Sequence, residues 1–170
     1  SAGTSNFRAG VNAGNSIESG GNYNVVVGDE AGTAITTGDN NVAVGFEALK
    51  TLATSSQNTA VGHTALKLNT AANNSAFGYG ALANNSSGTA NLAVGRSALA
   101  ANTTGDNNTA VGKSALTANT TADNNTAVGH NALNVNTTGT RNSAMGSNAL
   151  DANTEGNYNS AFGYNSLGAN

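Results

Sequence analysis

The sequence predicts an all-β fold, a parallel β-solenoid (β-roll) of about nine to ten coils of 17 residues each. A glycine recurs every 17 residues, with one interval of 16, at Gly28, Gly45, Gly62, Gly78, Gly95, Gly112, Gly129, Gly146 and Gly163. Such a unit is too short for a pair of helices, which needs about 33–47 residues. The window between its usual glycines is also shorter than the roughly 12 residues that a stable isolated helix requires.

The composition agrees with one repetitive domain over residues 1–170, with a degenerate first coil at 1–21 and regular coils at 22–170. Asn, Ala, Gly and Thr contribute 30, 31, 22 and 21 of the 170 residues. The net charge of −3, with 9% charged residues, excludes a strongly basic nucleic-acid-binding surface. The absence of cysteine excludes disulfides, thiolate zinc sites and a cysteine nucleophile. No apolar run is long enough to span a membrane. The start lacks Met and a signal pattern, so we expect a processed or excised segment.

Each repeat is numbered here from its first Asn as positions 1 to 17, so that Asn108 to Asn124 is one unit. Position 1 is Asn in nine repeats, and these side chains are expected either to form a hydrogen-bonded ladder along the rod or to close their own turns. Position 5 is Gly in the same nine repeats, which indicates a positive φ or a backbone contact too close for a Cβ.

Two apolar pairs define the expected packing. Ala110 and Val111 occupy positions 3 and 4 of a predicted strand, so they face opposite sides of it. Ala115 and Leu116, at positions 8 and 9, belong to a segment that is either a second strand or one helical turn, and as a strand they also face opposite sides. We expect the small side chains to fill a thin interior and the larger aliphatic ones to contact neighbouring chains. Because one coil then buries little apolar surface for 17 ordered residues, an oligomer is predicted.

The motif N-x-A-[V/F/M]-G, seen as NVAVG at 41–45, NTAVG at 58–62, NSAFG at 74–78 and NSAMG at 142–146, resembles the head repeats of trimeric autotransporter adhesins. The longer unit NTAVGxxALxxNTTGxNNTAVG is similar to repeats of bacteriophage tail-fibre proteins. The resemblance covers about residue 22 to the C-terminus and implies a homotrimer of parallel β-rolls that grips a host surface. The 17-residue coil is a few residues longer than the usual adhesin coil, and no neck, stalk, anchor or chaperone domain is present in this sequence.

No constellation in the sequence predicts catalysis, a cofactor or a metal site. His63 and His130 both occupy position 6 but lie four coils apart, about 19 Å at solenoid spacing, so one chain cannot bring them to one metal ion. Stacked Glu30 and Glu47, beside Asp29, are more typical of a solvated edge than of a calcium site. Nucleophile-elbow, P-loop and metalloprotease motifs are absent from the sequence. We therefore predict that the chain is not an enzyme.

Position 6 varies while most other positions repeat, and it carries aromatic and basic residues that suit sugar stacking or anionic polymers. The candidate ligand-binding residues are Phe46, His63, Tyr79, Arg96, Lys113, His130 and Tyr164. The function predicted is a non-enzymatic surface-attachment module, an adhesin head or phage tail-fibre segment on a bacterial surface or virion. Its expected partners are itself, as a homotrimer, and a host surface glycan or protein, without nucleic acid or membrane insertion. The alternatives are a carbohydrate-binding solenoid and an ice-binding solenoid, the latter because Thr recurs at position 13.

Overall fold

The computed structural model describes residues 3–168, which form one parallel β-sheet running along a rod. Ten three-residue strands, in this spatial order, make up the sheet: β1 Phe7–Ala9, β2 Val25–Val27, β3 Val42–Val44, β4 Thr59–Val61, β5 Ser75–Phe77, β6 Leu92–Val94, β7 Thr109–Val111, β8 Thr126–Val128, β9 Ser143–Met145 and β10 Ser160–Phe162. The described residues contain no helix, and hence none that could cross a membrane.

Adjacent strands pair in the register that the repeat predicts. Thr109 pairs with Thr126 and Ala110 with Ala127, an offset of one 17-residue repeat. The single 16-residue interval is absorbed between β4 and β5, where Thr59 still pairs with Ser75. The chain is therefore an all-β parallel solenoid of about nine turns, as the repeat predicted.

The strand at positions 2 to 4 alternates as an extended backbone must. Ala110 at position 3 points inward and is fully buried, whereas Thr109 and Val111 on either side are half-buried on the outer face. The same inward alanine occurs in every strand from β3 to β10, and Val26 replaces it in β2. The expectation that small side chains line the interior behind the strand is confirmed.

The second segment is neither a strand nor a helical turn, and the prediction that its leucines face outward is wrong. Residues of this segment form successive turns, and Leu116 has a left-handed φ of 51°. Strict alternation applies only to extended backbone, and here the left-handed residue turns the chain so that Leu116 and Ala115 both point inward. Leucines at position 9 from Leu49 to Leu150 are all buried in the core.

The leucine column changes the energetic picture of one chain. Each coil from the one that starts at Asn41 to the one that starts at Asn142 buries an alanine at position 3, an alanine at position 8 and a leucine at position 9 within the same molecule. Burial of one leucine stabilises the folded chain by about 1.5–3 kcal/mol. The sequence had placed the larger aliphatic residues, leucine among them, at contacts with neighbouring chains. The core therefore does not require a neighbouring chain to cover its leucines, and the energetic argument for assembly no longer applies.

The position-1 amides close their own turns, and they link adjacent coils mainly through the backbone N–H of the next Asn, with amide-to-amide bonds in some coils only. In one coil, Asn108 Oδ1 accepts a hydrogen bond from the backbone N–H of Asn125 in the next coil at 2.9 Å. Its Nδ2 donates to the carbonyl of Ala122 at 2.8 Å and so closes the turn of its own coil. The same two bonds recur at Asn91 and Asn125, and all three amides are buried. The column therefore satisfies buried backbone groups that the narrow core shields from water.

A second amide column, at position 12, was not foreseen. Asn102 Nδ2 donates to Asn85 Oδ1 at 2.7 Å, and Asn119 Nδ2 donates to Asn102 Oδ1 at 2.9 Å. Further bonds of the same kind extend the ladder through Asn136 and Asn153. The first two regular coils carry Ile35 and Leu52 at this position, and both are fully buried. The core thus changes from apolar to amide packing along the rod.

The position-5 glycine meets both requirements inferred from the sequence. Gly95 has a φ of 130°, and a Cβ built on it would lie 2.6 Å from the carbonyl carbon and oxygen of Gly112 in the next coil. A side chain here would collide with backbone atoms, which cannot move without breaking the stacking of coils. This glycine turns the chain directly after each strand and sets the direction of the residue at position 6.

Candidate functional site

The position-6 column lies on the outside of the rod, immediately after the turn that ends each strand. Every candidate residue of the column is exposed: Phe46, His63, Tyr79, Arg96, Lys113, His130 and Tyr164. Since the coils stack about 4.8 Å apart, consecutive members lie side by side along the axis. Ser147 interrupts the column between His130 and Tyr164.

The first four members touch one another in a continuous stack. The ring centroids of Phe46 and His63 are 5.2 Å apart with an interplanar angle of 32°. Those of His63 and Tyr79 are 5.0 Å apart, and the rings are nearly parallel, at 10°. The guanidinium carbon of Arg96 lies 5.9 Å from the centroid of the Tyr79 ring. The solenoid therefore assembles an aromatic stack ended by a cation–π contact from four residues that are about 17 positions apart in sequence.

The basic part of the column continues beyond this stack. Arg96, Lys113 and His130 occupy three consecutive coils, and in the described part of the chain none of them has a carboxylate at ion-pair distance. The opposite end of the column begins with Asp29 at position 6 of β2's coil. Position 6 thus runs from an acid through aromatic rings to basic side chains.

An ion-pair cluster flanks the aromatic end of the column, at positions 7 and 10. Lys50 Nζ lies 2.7 Å from Glu47 Oε1, Lys67 Nζ lies 2.7 Å from Glu47 Oε2, and Lys50 also approaches Glu30 Oε2 at 3.8 Å. The hydrogen bond from Lys50, followed by that from Lys67, lowers the pKa of Glu47, and the bond to Glu47 raises the pKa of Lys50. Glu47, and at a longer distance Glu30, are therefore paired with lysines, a pairing that the spacing of positions 7 and 10 would have revealed. Asp29 instead accepts a hydrogen bond from the backbone N–H of Val11.

The position-4 column forms a second, apolar feature on the outer face of the sheet. It comprises Val27, Val44, Val61, Phe77, Val94, Val111, Val128, Met145 and Phe162, all of them half-buried or exposed. Position 2 lies on the same face and is polar in most coils, as at Thr109 and Ser143, and apolar in others, as at Leu92. The column is continuous over nine coils, about 40 Å at solenoid spacing.

Other arrangements that the sequence raised do not converge into sites. No three His, Asp or Glu side chains among residues 3–168 come together as a metal site would require, and His63 and His130 stay four coils apart. Five threonines at position 13, from Thr36 to Thr137, donate their hydroxyls to the next coil, as Thr103 does to the carbonyl of Thr120 at 2.9 Å. Those donors are therefore used within the rod.

The repeat did not indicate one exposed pair of side chains. Arg141 and Tyr158, at position 17 of adjacent coils, contact each other through a hydrogen bond of 3.0 Å between Nη1 and the phenol oxygen. The Arg141 guanidinium also lies 5.5 Å from the Tyr158 ring centroid. Position 17 is occupied mainly by small or amide residues elsewhere, so only a comparison of the same position in neighbouring coils would have found this pair.

Comparison of the chain with family models, with curated proteins and with solved structures finds no match.

Proposed function

We propose that this chain is a non-enzymatic attachment module, a rod that presents the position-6 column to a glycan or protein on a host surface. The observation that carries the proposal is the exposed, contacting series Phe46, His63, Tyr79 and Arg96 on an otherwise repetitive rod. Aromatic and arginine side chains are the residue types that most often dominate binding surfaces. An adhesin head or phage tail-fibre segment, located outside the cell or on a virion, has this architecture in the families that the repeat resembles.

The proposed module is a homotrimer, with the position-4 column at the interface between subunits. The position-9 leucines are internal, so the support for assembly comes from this outer apolar column alone. Phe77 and Met145 expose 39% and 44% of their surface, and the valines between them are half-buried. Continuous apolar surface of this length typically marks a contact with another protein. The number of three subunits comes from the resemblance to adhesin heads.

Attachment is tested by glycan-array and cell-surface binding with the triple variant Tyr79→Ala/Arg96→Ala/Lys113→Ala. We expect weaker binding than that of the unaltered chain at unchanged thermal stability, because these side chains are exposed and outside the core. The matched control replaces Thr104, Thr121 and Thr138, which are exposed at position 14, by alanine. Equal binding by both triple variants would exclude the position-6 column as the attachment surface.

Assembly is tested by sedimentation of the unaltered chain and of Val111→Asp. A trimer should sediment at three times the mass of one chain, and a charge in the middle of the position-4 column should dissociate it. Thr104→Asp places the same charge at position 14, away from the sheet face, and should leave the trimer intact. A single-chain mass for the unaltered protein would refute the trimer without touching the attachment proposal.

A further inference from the structure

The aromatic rings of the position-6 column contact one another along the rod. His63 lies between Phe46 and Tyr79, and Tyr79 lies between His63 and Arg96, with contacts spaced at about one coil. Rings stacked along the rod axis in this way present their edges to solvent. A sugar that stacks on an aromatic side chain needs a free ring face, and neighbours on both sides of His63 and Tyr79 occupy part of each face. The simple sugar-stacking interpretation of these two residues is therefore unfavourable.

The exposed ring edges favour an anionic ligand group over a neutral sugar ring. The edge of an aromatic ring carries the positive part of its quadrupole, whereas the face carries the negative part. The phenol of Tyr79 and the imidazole of His63 also place polar atoms at their ring edges. Beside these edges, Arg96 and Lys113 add two full positive charges on the next two coils, and His130 follows on the third. This part of the column consists of hydrogen-bond donors and positive potential, which suits anionic oxygen atoms.

The surrounding carboxylates do not neutralise this section. Glu30 and Glu47 lie beside the Phe46 end and are engaged by Lys50 and Lys67. Asp106 and Asp123 lie at position 16, at the other end of the strand. There Asp123 Oδ1 accepts the backbone N–H of Asp106 at 2.7 Å. The basic groups from Arg96 to His130 therefore remain available to a ligand outside the chain.

We infer that the section from Tyr79 to His130 binds an acidic polysaccharide, with carboxylate or sulfate groups on successive sugars paired to Arg96 and Lys113. The inference rests on the proposed attachment function and assigns its ligand class. Guanidinium and ammonium groups about one coil apart can engage separate acidic groups of one extended polymer. Nucleic acid is disfavoured because its dense phosphates call for many cations, and this chain has 6 lysines and arginines and a net charge of −3.

The experiment measures binding of the full chain to two matched pairs of polymers. Polygalacturonate is compared with its methyl ester, and dextran sulfate with neutral dextran, so that each pair differs in charge. The variant Arg96→Gln/Lys113→Gln removes both charges from the column, and Arg141→Gln removes one exposed charge at position 17 as a control. We expect a charged member to bind more tightly than its neutral partner. The double variant should weaken that binding about tenfold, and added salt should weaken it further. Arg141→Gln should bind as the unaltered chain does.

Three results would overturn the inference. Equal binding of charged and neutral polymers, reduced only by Tyr79→Ala, would show that the rings contact neutral sugars. That result would leave the proposed attachment function standing. Equal competition by single-stranded DNA of matched charge would show that charge, and not an acidic sugar, is recognised. Failure to bind either charged polymer would refute the ligand class. In that last case, binding of the chain to a glycan array or to cells, still lost in the triple variant, would leave the attachment function standing.

Discussion

Replacing Asn108 by alanine tests whether the position-1 column stabilises the rod. In the structure this side chain makes two hydrogen bonds inside the core. It donates to the carbonyl of Ala122 at 2.8 Å and accepts from the backbone N–H of Asn125 at 2.9 Å. The Ala122 carbonyl keeps a second donor, Asn119 Nδ2 at 3.0 Å. The N–H of Asn125 has no other partner, so the substitution leaves one buried donor unsatisfied.

The expected cost follows from these contacts. A net loss of about 1 kcal/mol for the bond to Ala122, plus about 1–3 kcal/mol for the unsatisfied N–H of Asn125, gives about 2–4 kcal/mol. Thr104→Ala, at an exposed position of the preceding coil without a side-chain hydrogen bond, should change the stability by less than about 0.5 kcal/mol. The two variants thus separate loss of a buried amide from loss of a surface hydroxyl.

Denaturant unfolding and amide hydrogen exchange together provide the assay. The free energy of unfolding should fall in Asn108→Ala by the amount above. The amide of Asn125 should also exchange faster than that of Thr126, which still donates to the carbonyl of Asn142 at 2.8 Å. An unfolding free energy equal to that of Thr104→Ala, with the Asn125 amide as protected as before, would refute the role given to the column.

Three further substitutions test other parts of the fold. Leu116→Ile keeps the volume of a buried side chain but puts a β-branched residue at a φ of 51°. It should therefore lower the stability by more than the roughly 1.5 kcal/mol typical of volume-conserving apolar substitutions. A smaller loss of stability in thermal unfolding would contradict the left-handed conformation of this leucine. Gly95→Ala should prevent normal stacking of the coils, whereas Gly80→Ala, where a Cβ meets nothing within 4 Å, should lower the free energy of unfolding by about 1 kcal/mol. If circular dichroism and unfolding show equal effects of the two variants, the close approach of Gly95 to the next coil is contradicted. Glu47→Gln should be less stable than the unaltered chain at about pH 7, because Lys50 and Lys67 lower the pKa of Glu47 below its ordinary 4.5 and stabilise its ionised form. The difference should shrink as the pH falls through that lowered pKa, and a difference independent of pH would exclude the ion pairs as its source.

The repeat allowed the solenoid, the strand and its register to be predicted, because hydrogen-bonded stacking forces equivalent positions to coincide. Gly95 is an example: one residue type at one position indicated both a positive φ and a close backbone contact, and both occur. The strand residues Ala110 and Val111 also follow the rule of alternation, which depends only on extended backbone.

The leucine at position 9 could not be placed correctly by the same rule. Leu116 is a residue type that seldom adopts a left-handed conformation, so its sequence gives no signal of the turn that directs it inward. The position-12 asparagines were missed for a related reason. Asn102 is also typical of a loop, and only the path of the chain shows that its amide is buried and bonded to Asn85.

The candidate site was predictable in position but not in geometry. Variability at position 6 indicated an outward column, and the structure places all seven residues outside. That His63 and Tyr79 cover each other's ring faces depends on the distance between coils and on side-chain orientation, neither of which composition reveals. The proposed preference for an anionic ligand rests on this stacking.

Distances between pairs of spin labels test the stacking of coils most directly. The chain has no cysteine, so labels attach only at introduced sites, and Thr37, Thr104 and Thr138 share the exposed position 14. At about 4.8 Å per coil, the four coils from Thr37 to Thr104 should give about 19 Å, and the six coils to Thr138 about 29 Å. Label separations that fail to grow with the number of coils, or that scatter broadly, would contradict a rod of coils in register.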